Sequence, residues 1–380
     1  MYINRTVFSE EHEAYRDTVA RFMDEELVPY HAQWEKEGIV PREAWKKAGD
    51  VGILLPAIPD KYGAPGGDRL FSSIVIEEQA KRGLSGPGFT LHSDIVAPYI
   101  LAYGTEEQKQ AFLPKMAAGE MIGAIAMTEP GTGSDLQSVK TTAIREGDEY
   151  VINGQKTFIT NGINSDLVIL VTKTDPELGA KGISLILVEA TREGFTKGRN
   201  LDKIGMKAQD TAELFFDNVR VPVTNLLGKE GTGFYMLMQE LAWERMQIAI
   251  GGIASAESII EETATYTKER KVFGQPIAGF QNTRFKLAEL KTQVQIGRVF
   301  VDKCLELIMK KELDASTAAM AKMWCSDLNC KVIDECLQLH GGYGYMWEYR
   351  VARAYADARV SRIYGGSNEI MKELVARTFD

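Results

Sequence analysis

Cysteine and histidine are scarce in this chain of 380 residues, with four of each. The cysteines, Cys304, Cys325, Cys330 and Cys336, fall in the last third and form no C-x-x-C pair. Buried reduced thiols are therefore expected rather than a disulfide framework. The histidines, His12, His31, His92 and His340, build no H-E-x-x-H and no Cys/His cluster, which argues against a metal site. No apolar run approaches the roughly 18 residues that a membrane-spanning helix needs. Basic residues are in deficit, 44 against 53 acidic, for a net charge of −9. A nucleic-acid binder carries the opposite surplus, so that class is not expected. The opening "MYINRTVFSEEHEAYRD" is charged from the start and does not read as a secretory signal. The expected compartment is a bacterial cytoplasm, or the mitochondrial matrix for a processed eukaryotic chain.

What is present is ordinary for a globular protein: 44% hydrophobic and 26% charged residues, on a chain long enough for two or three domains. Its character changes twice. Residues 1–122 read as an α-helical domain. Ser9 looks like an N-cap before acidic first-turn residues, and Thr105 and Gln108 have capping-box spacing. Residues 123–232 read as a β domain of small antiparallel barrel or sandwich type. "EYVINGQKTFITNG" contains two Asn-Gly pairs, a hairpin cue, and "DLVILVTKT", "GISLILVEA" and "AELFFDNVRVP" are short β-rich runs. Residues 233–380 read as long periodic helices joined by short loops, an antiparallel four-helix bundle. The fold class is α+β, mostly α.

Four stretches are candidates for carrying chemistry. "AMTEPGTGSD", Ala126 to Asp135, is a glycine-rich loop after a strand. It fails the G-x-G-x-x-G spacing, because Leu136 stands at the third glycine, and no P-loop lysine follows. It is either a plain β-turn or a loop that turns its N–H groups toward a ligand. Glu244 shares a helix face with Leu237, Leu241 and Ile248, at i, i+4, i+7 and i+11. A carboxylate on that apolar face is desolvated, which raises its pKa toward the range of a general base. The alternative is an ion pair at the stripe's edge with a basic residue of another helix. In the same helix, Gly251-Gly252 costs stability unless something packs closely there. "KERKVFGQP" clusters cations at a helix end, as a solvated last turn or as a seat for an anionic ligand. "QLHGGYGYMWEY" interleaves glycines and aromatics, as a helix terminus or as a close approach to a planar ring system.

Near the C-terminus stands "RVSRIYGGSNEIMKELVAR". With "AMTEPGTGSD", "FITNG", "ERKVFG" and "QLHGGYGY", in this order and at this spacing, it makes the chain resemble the acyl-CoA dehydrogenase family over essentially its whole length. "QELAWER" and "YGGSNEIMKEL" place it nearest the long-chain branch, with isovaleryl-CoA dehydrogenase a near relative. The resemblance implies an N-terminal helical domain, a middle β domain and a C-terminal four-helix bundle, assembled as a homotetramer. It implies FAD as cofactor, an acyl-CoA substrate oxidised to trans-2-enoyl-CoA with hydride transfer to flavin N5, and electron-transfer flavoprotein as acceptor.

It also assigns residues. Ile125, Ala126, Met127, Thr128, Gly133 and Ser134 match the loop along the flavin, with Ser134 also near the substrate. Phe158, Ile159 and Thr160 match the stretch over the other flavin face. Arg270, Phe273 and Gln281 match cofactor contacts at a dimer interface. Gln338, Leu339, His340, Gly341 and Gly342 match the segment meeting the adenosine-diphosphate part, and Ser367, Asn368 and Glu369 its closing partner. Tyr235, Ala242, Trp243, Arg245, Gly365 and Gly366 match the substrate channel.

Most of the family carries its catalytic glutamate after the tyrosine matched by Tyr364, where this chain has Gly365. In the long-chain and isovaleryl branches the base sits where Glu244 stands, so both lines of reasoning meet on Glu244. A glycine at 365 is expected to leave room for that side chain, and its N–H to join the flavin ribityl hydroxyl in binding the thioester carbonyl. A long-chain substrate is expected, with a branched or isoprenoid acyl-CoA as the alternative. An oxidase or monooxygenase on the same fold is a further alternative, and a non-catalytic binding relative the last.

Overall fold

The computed structural model describes residues 3–379. Met1, Tyr2 and Asp380, at the outer ends of the first and last expected domains, lie outside the described residues. Seven helices come first: α1 (Glu10–Glu26), α2 (Val28–Glu37), α3 (Arg42–Asp50), α4 (Arg69–Lys81), α5 (Phe89–Leu91), α6 (Ala97–Tyr103) and α7 (Glu106–Ala117). The Ser9 side chain caps α1, and Thr105 and Gln108 close a reciprocal capping box on α7. A single π-turn, His92–Val96, joins α5 to α6.

Eight strands follow: β1 (Gly123–Ala126), β2 (Thr142–Glu146), β3 (Glu149–Thr160), β4 (Leu167–Lys173), β5 (Ile183–Glu189), β6 (Phe195–Asn200), β7 (Thr211–Pro222) and β8 (Leu226–Leu227). They form one sheet in the order β6-β7-β3-β2-β4-β5-β8, with β1 running parallel to β4. Neither Asn-Gly pair makes a hairpin. Asn153-Gly154 lies inside β3, where the pairing with β7 slips by a bulge, and Asn161 begins a longer turn into β4. The tight hairpin is the Gly147-Asp148 turn between β2 and β3. There Gly147 takes φ +64, a value that glycine adopts without strain.

The remaining elements are α8 (Gly233–Glu269), β9 (Lys271–Val272), β10 (Gln275–Pro276), α9 (Gln281–Met309), α10 (Ala315–His340), α11 (Arg350–Ala358) and α12 (Asn368–Ala376). Helices α8, α9 and α10 are long; α11 and α12 are short and both pack on α10. Gly251 and Gly252 let two neighbours approach α8 from different sides. A Cβ on Gly251 would stand 3.5 Å from Ile76 of α4, and one on Gly252 3.3 Å from the Cys325 carbonyl of α10.

Three cores organise these elements. Val168, Leu170 and residues of β1, β3, β5 and β7 fill the inside of the sheet. The other face of β4, with Leu167, Ile169 and Val171, packs into the N-terminal helices. Strand β4 is buried on both sides, which is why it reads as a continuous apolar run. The third core joins α8, α9 and α10 to Leu70 and Ile76 of α4. All four cysteines are free; three are buried and Cys330 is half-buried. Among the described residues no helix is long and apolar enough to cross a membrane.

Candidate active site

Glu244 lies eleven residues into α8 and is only 8% exposed. Its surroundings are less apolar than the sequence implies, and its partner is not a cation. The Tyr99 hydroxyl of α6 donates to Glu244 Oε1 at 3.0 Å. One turn earlier the Tyr103 hydroxyl donates to Glu240 Oε1 at 2.8 Å. Two tyrosines four residues apart on one helix thus serve two glutamates four residues apart on another. Burial pushes the Glu244 carboxyl up to about 7; the Tyr99 bond opposes this, and the Glu240 charge adds to it. Arg245 is buried beside it, its guanidinium destabilised by burial, and its Nε has no hydrogen-bond partner. Trp243 turns into the bundle core, with the Arg69 guanidinium 4.7 Å from its ring centroid. Ala242 is half-buried and Tyr235 is exposed.

The Gly365-Gly366 segment meets α8 at the next turn. Both glycines are left-handed, at φ +64 and +88, a conformation that side chains resist. The room at Gly365 is not left for Glu244. A Cβ there would stand 2.5 Å from Ile248 Cδ1, so Ile248 fills the space. Lys322 of α10, fully buried, fixes the segment from below. Its Nζ donates to the Gly366 carbonyl and to Asn368 Oδ1, both at 2.8 Å. Asn368 also donates to Ser326 and Asp327, so its side chain is spent inside the protein. Ser367 caps α12, and Glu369 is exposed.

The glycine-rich loop is a turn and more. Glu129 and Thr132 exchange backbone hydrogen bonds across Pro130-Gly131. Glu129 accepts from the backbone of Lys140 and Thr141, and pairs with the buried Lys156 at 2.7 Å. Lys156 also donates to the Met127 carbonyl. Nothing lies within 4 Å of a Cβ built on Gly131 or Gly133, so that backbone is open; Ser134 is exposed. Ile125 and Ala126 bury their side chains in the cores, leaving only backbone for a ligand. Thr128 accepts from the Thr157 N–H of β3. Between Lys156 and Ile159 the β3–β7 pairing slips. In that bulge Phe158 takes φ +60 and stands 67% exposed, while Ile159 turns inward and Thr160 is half-buried.

The remaining residues lie elsewhere in the chain. Arg270 follows Glu244 by 26 residues, about 39 Å along a helix. Phe273 and Gly274 form the two-residue tip of the β9–β10 hairpin, both with positive φ. Phe273 is 97% exposed, and Arg270 and Gln281 are exposed nearby. At the end of α10 the His340 ring is taken up by stacking on Tyr266 at 4.2 Å and by the Cys336 carbonyl. Gln338 is exposed, Leu339 half-buried, and no atom lies within 4 Å of a Cβ on Gly341 or Gly342. Within one chain, therefore, Glu244 is brought to Gly365 through Ile248, and Arg270, Phe273 and Gln281 are not.

Family models agree with this arrangement. The acyl-CoA dehydrogenase N-terminal domain matches residues 9–120, the middle domain 124–219 and the C-terminal domain 231–379. The chain belongs to the acyl-CoA dehydrogenase family. The mitochondrial long-chain specific acyl-CoA dehydrogenase of Mus musculus is 56% identical over 98% of this chain and 87% of its own length. The crystal structure of an acyl-CoA dehydrogenase from Geobacillus kaustophilus is 48% identical, with TM-score 0.97 over 99% of this chain and 100% of that one. A solved structure described as an electron transferring flavoprotein of Acidaminococcus fermentans is 34% identical, with TM-score 0.93 over 100% and 99% of the two chains.

As an acyl-CoA dehydrogenase the chain is an FAD-dependent oxidoreductase of acyl-CoAs, related to enzymes of fatty-acid oxidation. Its open features fit that cofactor. A bare aromatic face at Phe158, unobstructed backbone at Gly131, Gly133, Gly341 and Gly342, and a hairpin-tip Phe273 suit a flat ring system joined to a pyrophosphate. Sequence reasoning missed Tyr99, Glu240, Lys322, Glu129 and Lys156. The Tyr99/Tyr103 and Glu240/Glu244 spacings were a signal for the first two. Nothing in the sequence pointed to Lys322, which acts across more than 40 residues.

Proposed function

We propose that this acyl-CoA dehydrogenase oxidises the Cα–Cβ bond of a long-chain acyl-CoA to the trans-2-enoyl-CoA, with Glu244 taking the α-proton. The observation that carries the reading is a carboxyl at about 7, buried one helical turn from the residue that packs on Gly365. At neutral pH such a group is ionised in part and basic enough to accept the proton. Tyr99 orients it. Gly365 presents its N–H to the thioester carbonyl and steadies the charge that gathers there as the Cα–H bond breaks. Lys322 holds the following carbonyl, which keeps that N–H aimed. Bound FAD supplies the acceptor for the hydride leaving Cβ. Ile125, Met127, Thr128, Gly133, Ser134, Phe158 and Thr160 would hold its ring portion.

Arg270, Phe273, Gln281 and the Gln338–Gly342 segment would serve the cofactor of a second copy, in a homotetramer. Their distance from Glu244 and the exposure of Phe273 support this. Electron-transfer flavoprotein is the proposed acceptor, in keeping with the family and with the Acidaminococcus neighbour. The working compartment would be the cytoplasm of a bacterium or the matrix of a mitochondrion. The test is anaerobic bleaching of the flavin's visible band by straight-chain acyl-CoAs of increasing length, with isovaleryl- and citronellyl-CoA alongside. Fast bleaching by the long straight chains supports the reading. Preference for the branched compounds replaces the substrate, and no bleaching in FAD-loaded protein removes Glu244 as base.

A further inference from the structure

A cavity of about 220 Å³ lies between the starts of α4 and α8 and the helix α6. Most of its wall is aliphatic, including Ala57, Ile58, Pro98 and Leu101, but it holds two opposite charges, Arg69 and Glu240. Neither is fully spent. Arg69 Nη1 has no hydrogen-bond partner and stands 3.7 Å from Asp94 Oδ1, which has none either. Its guanidinium otherwise rests on the Trp243 ring. Glu240 uses Oε1 for the Tyr103 hydroxyl. Glu240 also precedes Glu244 by four residues on one helix face, about 6 Å along the axis. The cavity therefore begins one turn beyond the proposed base, where an acyl chain lying across that base would continue.

An apolar tail fits the aliphatic walls but answers neither charge. It would strip water from Arg69 and Glu240 and leave unmet the hydrogen-bonding capacity that Asp94, Trp243 and Tyr103 do not use, which is costly. A carboxylate tail would meet Glu240; an ammonium tail would meet Arg69. A hydroxyl suits both walls, since its oxygen accepts from the guanidinium while its hydrogen goes to the carboxylate. We propose that this cavity is a polar subsite for a hydroxyl group carried on the acyl chain, so that hydroxylated acyl-CoAs are preferred to their plain counterparts. The proposal deepens the reading of Glu244 as the base and rests on it for the direction of the chain.

The experiment measures binding apart from turnover. FAD-loaded Glu244→Gln protein is titrated anaerobically with a long saturated acyl-CoA, with derivatives hydroxylated at successive mid-chain and terminal positions, and with the terminal carboxylate. The flavin spectrum reports binding. At least one hydroxylated chain is expected to bind on the order of ten-fold tighter than the plain one, as a hydrogen bond to a charged group allows. Equal or weaker binding of every hydroxylated chain overturns the proposal, as does tighter binding of the carboxylate chain.

Adding Arg69→Met is expected to bring the ratio to about one, and an unchanged ratio overturns the subsite. Should that variant fail to hold FAD, Ala57→Leu fills the cavity without removing a hydrogen bond and is expected to abolish the preference equally. Turnover of the plain chain by the unaltered enzyme is read separately. Its absence counts against Glu244, and the binding ratio still decides the subsite.

Discussion

Ile248 occupies the space that a side chain at position 365 would need. Its Cδ1 lies 2.5 Å from where a Cβ on Gly365 would stand, and Gly365 is itself left-handed at φ +64. Two obstacles, a left-handed backbone and the Ile248 terminal methyl that would have to turn aside, thus favour a glycine at this position. Ile248 and Glu244 are one turn apart on α8. The helix that crowds position 365 carries the carboxylate proposed as the base, and one is enough, because two close carboxylates would repel and displace each other's pKa.

Moving the proposed base should therefore fail. Glu244→Gly combined with Gly365→Glu places a glutamate where Ile248 already stands, in a backbone conformation costing about 1 kcal/mol or more for a side chain. Flavin reduction in this double variant is expected to remain at the level of Glu244→Gly alone. Adding Ile248→Ala opens the space, and rapid-mixing reduction should then recover in part. Strong recovery without Ile248→Ala would show that the loop yields readily and that Ile248 is no barrier.

Glu244 sets two pH dependences of opposite use. Its carboxyl is raised from 4.5 to about 7, first by burial. The kcat/KM for flavin reduction should fall about ten-fold per pH unit below 7, because only the ionised form accepts a proton. Glu244→Gln should lose reduction by several orders of magnitude while still holding FAD. For stability the folded pKa lies above the unfolded one. Between about 4.5 and 7 the native state binds the extra proton, so the stability of the parent protein relative to Glu244→Gln grows as pH falls. Across the whole window the gain is on the order of 3 kcal/mol. Urea midpoints of the two proteins at pH 5 and pH 8 would show it; a constant difference would place Glu244 in a wetter site than the one seen.

Tyr99 opposes that shift. Its hydroxyl stabilises the charged carboxylate, so Tyr99→Phe should raise the Glu244 pKa further. The acid limb of the kcat/KM profile is expected to move up by roughly one pH unit, the worth of a hydrogen bond to a charged group. The plateau rate at high pH should change much less. A fall in plateau with an unmoved limb would mean that Tyr99 orients the base without tuning it.

The parts of this site that the sequence disclosed were those with a local period. Glu244 stood out because a carboxylate interrupted an apolar stripe, and the Thr105–Gln108 capping box because its partners are three residues apart. The Asn-Gly pairs misled for the same reason. A local turn preference in β3 was overridden by β7, which pairs with the strand from end to end and admits Asn153-Gly154 only as a bulge. Lys322 could not be foreseen. Its hydrogen bonds to Gly366 and Asn368 depend on how α12 docks on α10, a tertiary fact with no period. Nor could the assignments at His340 and Asn368 be refined from sequence, since only the fold shows that both side chains are consumed internally.

Glu77 of α4 should prove the costliest residue to remove outside the site. It is fully buried and accepts hydrogen bonds from Arg5 and Arg16 of the N-terminal segment and from Arg298 of α9. Burial alone would raise its pKa, but the three guanidiniums, Arg298 foremost, hold it far below the usual carboxylate range. A depressed carboxyl contributes stability that is present above its unfolded pKa and is lost as pH falls beneath it. Glu77→Ala leaves the almost fully buried Arg298 with Glu257 as its remaining salt-bridge partner, and Arg5 and Arg16 short of a shared one. A loss of about 3–5 kcal/mol is expected at pH 7. The same substitution should cost about 2 kcal/mol less at pH 3, where the unfolded-state glutamate is protonated while the native carboxylate, held far below the usual range, is still ionised. Denaturant titrations at the two pH values check this, and a cost that does not shrink in acid would assign the effect to packing between α4 and α9 instead of to charge.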